Sequence, residues 1–139
     1  MDLMLFEQFK QTPEYQKFIE ENPSFGTLKV EAFTAFQGMP IENTEILITK
    51  DIGDYKVLFF KGYTDSSGII DNIVLPAPKE EPVASYEKRP DYTIYDLTAI
   101  NEGYETIKKY NIGMFGGIKV IQYVKMIPNI EVEENTNGN

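Results

Sequence analysis

Apolar residues recur along this chain at two different periods, and the change from one to the other falls near Gly26. Before it, Leu3, Phe6 and Phe9 stand at helical spacing behind Asp2, a residue suited to cap a short helix. Thr12-Pro13-Glu14 restarts the pattern with a capping hydroxyl, a proline at the first helical position and an acid in the first turn. Tyr15, Phe18 and Ile19 follow on one face, and Asn22-Pro23 ends the helix. This amphipathic segment has two placements open to it. It can lie on its own domain's sheet, or it can serve as an arm (residues 1–25) that docks on a neighbouring subunit through Leu3, Phe6, Phe9, Tyr15, Phe18 and Ile19. The arm is the functional expectation, because its large apolar residues look surplus to the core of a small β domain.

From Gly26 onward the period is two. Leu28, Val30 and Ala32 alternate with Lys29, Glu31 and Phe33, giving a first strand through about Phe36, and Gln37-Gly38-Met39-Pro40 turns it. Asn43 to Lys50 and Tyr55 to Lys61 form the next pair around Asp51-Ile52-Gly53-Asp54, where glycine supplies a positive φ. The run Val57-Leu58-Phe59-Phe60 is apolar on both faces, which a central position or a covering helix would explain. After Tyr63-Thr64-Asp65-Ser66-Ser67-Gly68, the apolar run Ile69 to Leu75 reads as a fourth strand stopped by Pro76-Ala77-Pro78. Lys79 to Asp91 is a Pro- and charge-rich loop; Tyr92 to Ala99, Tyr104 to Ile112 and Ile118 to Ile127 complete the set. Seven short strands with regular turn signals predict an all-β, antiparallel sandwich over residues 26–128, with an N-terminal helical extension. Its expected core is Leu28, Val30, Ile46, Ile48, Leu58, Leu75, Tyr95, Leu97, Val120 and Val124. Residues 129–139 are acidic and Asn-rich and are expected to be a disordered tail.

Charge and composition then exclude several classes of function. Thirteen Lys and Arg against 22 Asp and Glu leave a net charge of −9 on 139 residues, a field that repels phosphate backbones and anionic lipid surfaces. There is no Cys, so disulfides, thiolate metal sites and cysteine nucleophiles are absent; there is no His, so histidine triads and conventional zinc sites are too. The apolar start Leu3 to Phe6 has no basic flank and is cut by Glu7, which argues against a signal peptide, and no run approaches a membrane span. Cytoplasmic synthesis, with no cofactor and no metal, is the expectation. A hydrolase would have to work with Asp, Glu, Lys or Ser alone, and no spacing here supports one, so the chain is expected not to be an enzyme.

Four motifs occur in a fixed order: Gly26-Thr27-Leu28-Lys29-Val30, Met39-Pro40-Ile41-Glu42-Asn43-Thr44, Tyr63-Thr64-Asp65-Ser66-Ser67-Gly68 and Glu102-Gly103-Tyr104-Glu105. In that order they resemble the carboxypeptidase regulatory-like, or transthyretin-like, β-sandwich domain, whose corresponding turn reads T-D-x-x-G. Val74-Leu75-Pro76-Ala77-Pro78, Tyr92-Thr93-Ile94-Tyr95-Asp96-Leu97 and Val124-Lys125-Met126-Ile127-Pro128 bring the likeness nearest to the version found in Firmicutes, including spore cortex-lytic and peptidoglycan-binding proteins. The resemblance implies a Greek-key, transthyretin-like topology, and a non-catalytic module of bacterial spore or cell-surface structures. Pilin-type relatives of this fold join a first-strand Lys to a last-strand Asn, but Gly117 to Ile127 contains no Asn to pair with Lys29.

The candidate sites follow from these readings. Asp65, Ser66, Ser67 and Asp71 gather oxygens, yet the alternating ligands and distal Glu of a calcium loop are missing; Asp65, Gly68, Gly103 and Tyr104 read as turn builders. Glu80/Glu81 and Glu133/Glu134 read as charge for solubility. Exposed Tyr favours protein or carbohydrate contacts, and Tyr86, Tyr92 and Tyr110 are the candidates, with Tyr123 beside them. The expected function is therefore protein association, including self-assembly into a homo-oligomer, with carbohydrate or peptidoglycan binding as the alternative.

Overall fold

The computed structural model describes residues 2–81 and 90–129. It contains strands β1 (Met4–Leu5), β2 (Ser24–Thr34), β3 (Glu45–Ile52), β4 (Tyr55–Tyr63), β5 (Ile69–Ala77), β6 (Thr93–Ile100), β7 (Ile107–Met114) and β8 (Lys119–Met126), with helices α1 (Phe6–Phe9) and α2 (Glu14–Glu21). The strands form a five-stranded sheet in the order β1-β4-β3-β6-β7 and a three-stranded sheet in the order β5-β2-β8, packed as an all-β sandwich. Two features differ from the expectation of seven antiparallel strands. The chain has an additional two-residue strand, β1, and both sheets are mixed, since β1 runs parallel to β4 and β8 runs parallel to β2. Local alternation reports that a segment is extended; it carries no record of the partner's direction.

The core lies between the sheets. Leu28, Val30, Ile46, Ile48, Leu75, Tyr95, Leu97 and Val124 are buried in one cluster, and Val120 packs half-buried against it. Leu58 is the exception. The β3–β4 register shifts between Ile48 and Thr49, pairing Ile48 with Phe60 and Thr49 with Leu58, so Phe59 is an inserted residue. That bulge reverses the alternation along β4: Phe59 and Phe60 both pack on the main core, while Leu58 turns to the other face opposite Leu5. It also accounts for the unbroken apolar run in the sequence. Strand β5 extends through Pro76, which is tolerated because β5 lies at a sheet edge, where a missing N–H breaks no ladder.

The sheets differ in width, and the helices make up the difference. Ile46, Ile48, Lys50 and Ile52 alternate onto the inner face of β3; the first two meet the three-stranded sheet, whereas Ile52 joins a second cluster built on Phe9, Phe18 and Val57. Phe6, Tyr15, Tyr55 and Met4 complete this cluster, with Phe6 4.7 Å and Phe18 5.7 Å from the ring of Phe59. The N-terminal segment is thus packed on its own domain. Phe9 and Phe18 are fully buried there, Phe6 and Tyr15 are half-buried against them and Ile19 is half-buried, which leaves only Leu3 of the six expected arm contacts well exposed. The apolar residues that look surplus to a symmetric sandwich cover the strip of the large sheet that the small sheet does not reach. The expected tail at 129–139 lies, apart from Asn129, outside the described residues, as does most of the loop after Glu81.

Tyr95 ties the layers together. From β6 its hydroxyl donates to the carbonyl of Pro76 in the opposite sheet at 2.6 Å, and its ring meets Phe59 edge-on at 5.0 Å. Burial pushes the phenol pKa far above its usual value. The folded chain therefore keeps its proton at a pH where the unfolded tyrosine, near 10, has lost it, and stability falls as pH climbs above that value. Tyr95→Phe is expected to cost about 1–3 kcal/mol at pH 7, because a buried carbonyl is left without its donor. It should also show a smaller loss above pH 10 than the native chain in urea titrations. Phe18→Ala is expected to cost about 3–5 kcal/mol by the same measurement, against less than about 0.5 kcal/mol for a side chain on a free arm.

Candidate functional site

The turn motifs come together at one end of the sandwich and hold it shut. Asp65 Oδ1 accepts from the backbone N–H of Ser67 at 2.8 Å and of Ile69 at 3.0 Å, and Gly68 follows with φ +75°. A Cβ on Gly68 would collide with the carbonyl of Ala32, so the turn sits directly against β2. Thr64 Oγ1 donates to Ile41 O at 2.7 Å and accepts from Thr44 N at 2.9 Å, while Asn101 Nδ2 donates to Thr44 Oγ1 at 2.9 Å. Gly103, at φ +87°, accepts from Asn129 N, and Tyr104 bridges to Pro128. Every oxygen of this group that these bonds engage is directed at backbone or neighbouring side chains. Asp71, which the sequence grouped with the loop, instead pairs with Lys119 of β8 at 3.2 Å; the Asn72 backbone N–H and that lysine hold its carboxyl below the usual range. Among the described residues no group of three or more acidic side chains could hold a metal ion.

A different place has the form of a binding site. Where α2 meets the end of β3, a cleft of about 380 Å³ is lined by Glu14, Lys17, Phe18, Glu21, Asn22, Lys50, Asp51, Ile52, Gly53 and Thr93. Asn22 caps the C-terminus of α2: its backbone N–H and its Nδ2 both donate to Phe18 O, at 2.9 and 3.0 Å. With Nδ2 so engaged, Oδ1 is fixed as an acceptor, and it is buried with no donor among the described residues. Leaving such an acceptor unmet costs about 1–3 kcal/mol. A second recess of about 390 Å³ continues past Asn22 and Glu21 to Pro78, Asp91, Tyr92 and Thr93.

Lys50 supplies the cation. It occupies an inner-face position on β3, with Nζ donating to Ile94 O at 2.8 Å and lying 5.5 Å from the centre of the Tyr95 ring. Burial lowers its pKa, and Asp96, Asp51 and Glu21 only partly offset that. Nothing local in the sequence singles out Asn22, Lys50 or Thr93 as neighbours, since they lie far apart in the chain; the one available signal is a lysine at core parity between Ile48 and Ile52.

The tyrosines divide. Tyr92 is 56% exposed, its ring 5.5 Å from Phe115 at the end of the second recess. Tyr110 is not an outward contact, because it packs half-buried on the main core, and Tyr86 lies outside the described residues. Tyr123, by contrast, belongs to an open surface. The outer face of the three-stranded sheet carries Phe25, Val74, Ile121 and Tyr123, each 45–57% exposed, with Phe33 6.3 Å from Tyr123. Among the described residues, Lys29, Lys119 and Lys125 share this face with Glu31 and Asp71 as its acids, and β8 pairs on one side alone.

Lys50 gives the cleft a pH signature. The folded chain holds this proton less tightly than the unfolded chain, whose lysine titrates near 10.5, so stability rises with pH as the unfolded state alone remains protonated. Lys50→Met is expected to be more stable than the native chain at pH 7, with the difference narrowing towards pH 10 in urea titrations.

No family model matches the sequence, and no curated protein matches it. Solved structures share its architecture. The Bacillus anthracis TIE protein superposes with a TM-score of 0.51 at 16% identity, the match covering 76% of this chain and 17% of that one. The 3-chlorocatechol 1,2-dioxygenase from Rhodococcus opacus 1CP gives 0.51 at 10% identity, covering 76% of this chain and 61% of the dioxygenase. At these identities the likeness is one of fold alone, a β-sandwich that forms part of longer chains.

Proposed function

We propose that this chain is a non-enzymatic β-sandwich module, of transthyretin-like type, that mediates protein association and assembles with further copies of itself through the outer face of the β5-β2-β8 sheet. The observation that carries the reading is that face. Four large apolar side chains stand open on it, and its three lysines outnumber its two acids in a protein whose net charge is −9. Elsewhere the acidic surface makes copies repel; here a copy's acidic side meets lysines around an apolar centre. The edge of β8, unpaired among the described residues, adjoins the face and offers backbone groups to a neighbouring chain. The amphipathic arm has no part in this, because its apolar residues are used within the domain.

A non-enzymatic role agrees with the absence of His and Cys and with the exposure of the cleft carboxylates Glu14, Glu21 and Asp51, which solvent surrounds. No helix among the described residues is long and apolar enough to cross a membrane. The likeness of the motif order to Firmicutes spore and wall proteins is the ground for expecting the assembly at a bacterial spore or cell surface.

Light scattering across a concentration series is expected to give a mass that grows beyond one chain for the native protein. It should remain that of one chain for Ile121→Lys/Tyr123→Lys, with an unchanged thermal midpoint. A native protein that stays monomeric throughout, or a double variant that assembles equally well, defeats the reading.

A further inference from the structure

We propose that the run Ile130-Glu131-Val132-Glu133, which follows directly on the last described residue, adds as a strand to the free β8 edge of a second copy; the proposal rests on the association reading above and names what that edge receives. The composition of the edge decides its partner. Strand β8 carries Lys119 and Lys125 and no acid, in a chain of net charge −9. Both lysines stand with Ile121 and Tyr123 on the outer face, while towards the core Val124 and Met126 are buried and Val120 is half-buried. Lys119 is paired with Asp71, whereas Lys125 is exposed and forms no ion pair among the described residues. Two β8 edges laid antiparallel about Gln122 would set Lys119 opposite Lys125 at both ends, so the edge disfavours pairing with itself. It calls for a strand with acids on the outer side.

The run has that pattern. Ile130 and Val132 alternate with Glu131 and Glu133, so a strand set beside β8 places its glutamates among the lysines and its two β-branched residues on the core side. The core side has use for them. Strand β7, at the end of the large sheet, contacts β8 across the core, and its inner-face residues Ile107 and Tyr110 are only half-buried, whereas Ile112 and Met114 are covered. A fourth strand beside β8 widens the small sheet on this side. The run does not serve its own β8. Glu105 N donates to Ile127 O at 2.8 Å and Asn129 N donates to Gly103 O at 2.9 Å, with Pro128 bridged to Tyr104, so residues 127–129 leave β8 extended and bonded to the connection between β6 and β7. A hairpin returning the next residues to β8 would need its turn at these three, and they are straight. The acceptor is therefore a second copy. Because run and edge are different surfaces of each chain, the contact is head to tail and can propagate.

The test is light scattering of the full chain across a concentration series, with charge reversed on either side of the contact. Glu131→Lys/Glu133→Lys and Lys119→Glu/Lys125→Glu are each expected to raise the concentration needed for assembly about tenfold, with unchanged thermal midpoints. Mixed in equal amounts, the two variants should recover native assembly, since each supplies the charge that the other lacks, and so should the chain that carries all four changes. A peptide of residues 129–135 is expected to shift the amide NMR signals of β8 in the Glu131→Lys/Glu133→Lys chain. Three results overturn the proposal: Glu131→Lys/Glu133→Lys assembling as the native chain does, a mixture that fails to recover assembly, or a peptide that leaves the β8 signals in place. The association reading survives any of them so long as Ile121→Lys/Tyr123→Lys still dissolves the native assembly, whereas a native chain that stays monomeric defeats both.

Discussion

The contact on which the rest of this structure depends is the buried side chain of Tyr95. Its hydroxyl crosses from one sheet to the carbonyl of Pro76 in the other, and its ring carries Phe59 on its edge and Lys50 nearby. Few residues could meet these demands together. The ring supplies a large apolar surface to the core, and the single O–H satisfies the carbonyl of the buried Pro76. Phe59 then extends the same packing to Phe6 and Phe18, so the principal core and the helical cluster are continuous through one aromatic pair. A helix segment that would be marginal alone, at eight residues, is held by this tertiary packing.

Unequal sheets explain where the helices go. A five-stranded sheet facing a three-stranded one exposes an apolar strip along β4 and β3, and burying that strip is favourable at about 25 cal/mol per Å². The bulge at Phe59 enlarges the strip by turning an additional aromatic ring inward. An arm free to dock elsewhere would leave Val57, Ile52 and Tyr55 uncovered, so the domain itself is the stronger competitor for Phe9 and Phe18. The apolar residues on the outer face of the small sheet have no such internal claim, which is why the proposed association is assigned to that face.

How much of this was legible in the sequence depends on how local each cause is. Period-two alternation marked the strands, and eight of the ten expected core residues are fully buried, because pleat geometry needs no partner to be read. The turn at Asp65 to Gly68 was legible for the same reason: a carboxylate two and four residues from the amides it binds, followed by a glycine. The fate of Leu58 was not, since a bulge is decided by how two strands pair. The parallel pairing of β2 with β8 joins segments about ninety residues apart and leaves no local mark. Tyr110 shows the limit for aromatic residues, as strand position alone does not say which face of β7 is covered.

The cleft arises from the same inequality of the sheets. Two covering layers, the small sheet and the helix pair, meet the inner face of β3 side by side, and they cannot close perfectly over the residue at their junction. That residue is Lys50, placed between Ile48 under the small sheet and Ile52 under the helices. Lysine buries its stem there and keeps its ammonium near Glu21 and Asp51, at the desolvation cost that its lowered pKa records. Asn22, ending α2 at the same seam, is the helix's counterpart: it closes the last turn with one amide group, while the other is unmet among the described residues. A charged residue at core parity in an otherwise apolar alternation is therefore a mark of such a junction, where two covering layers leave a recess lined by polar side chains on rigid elements.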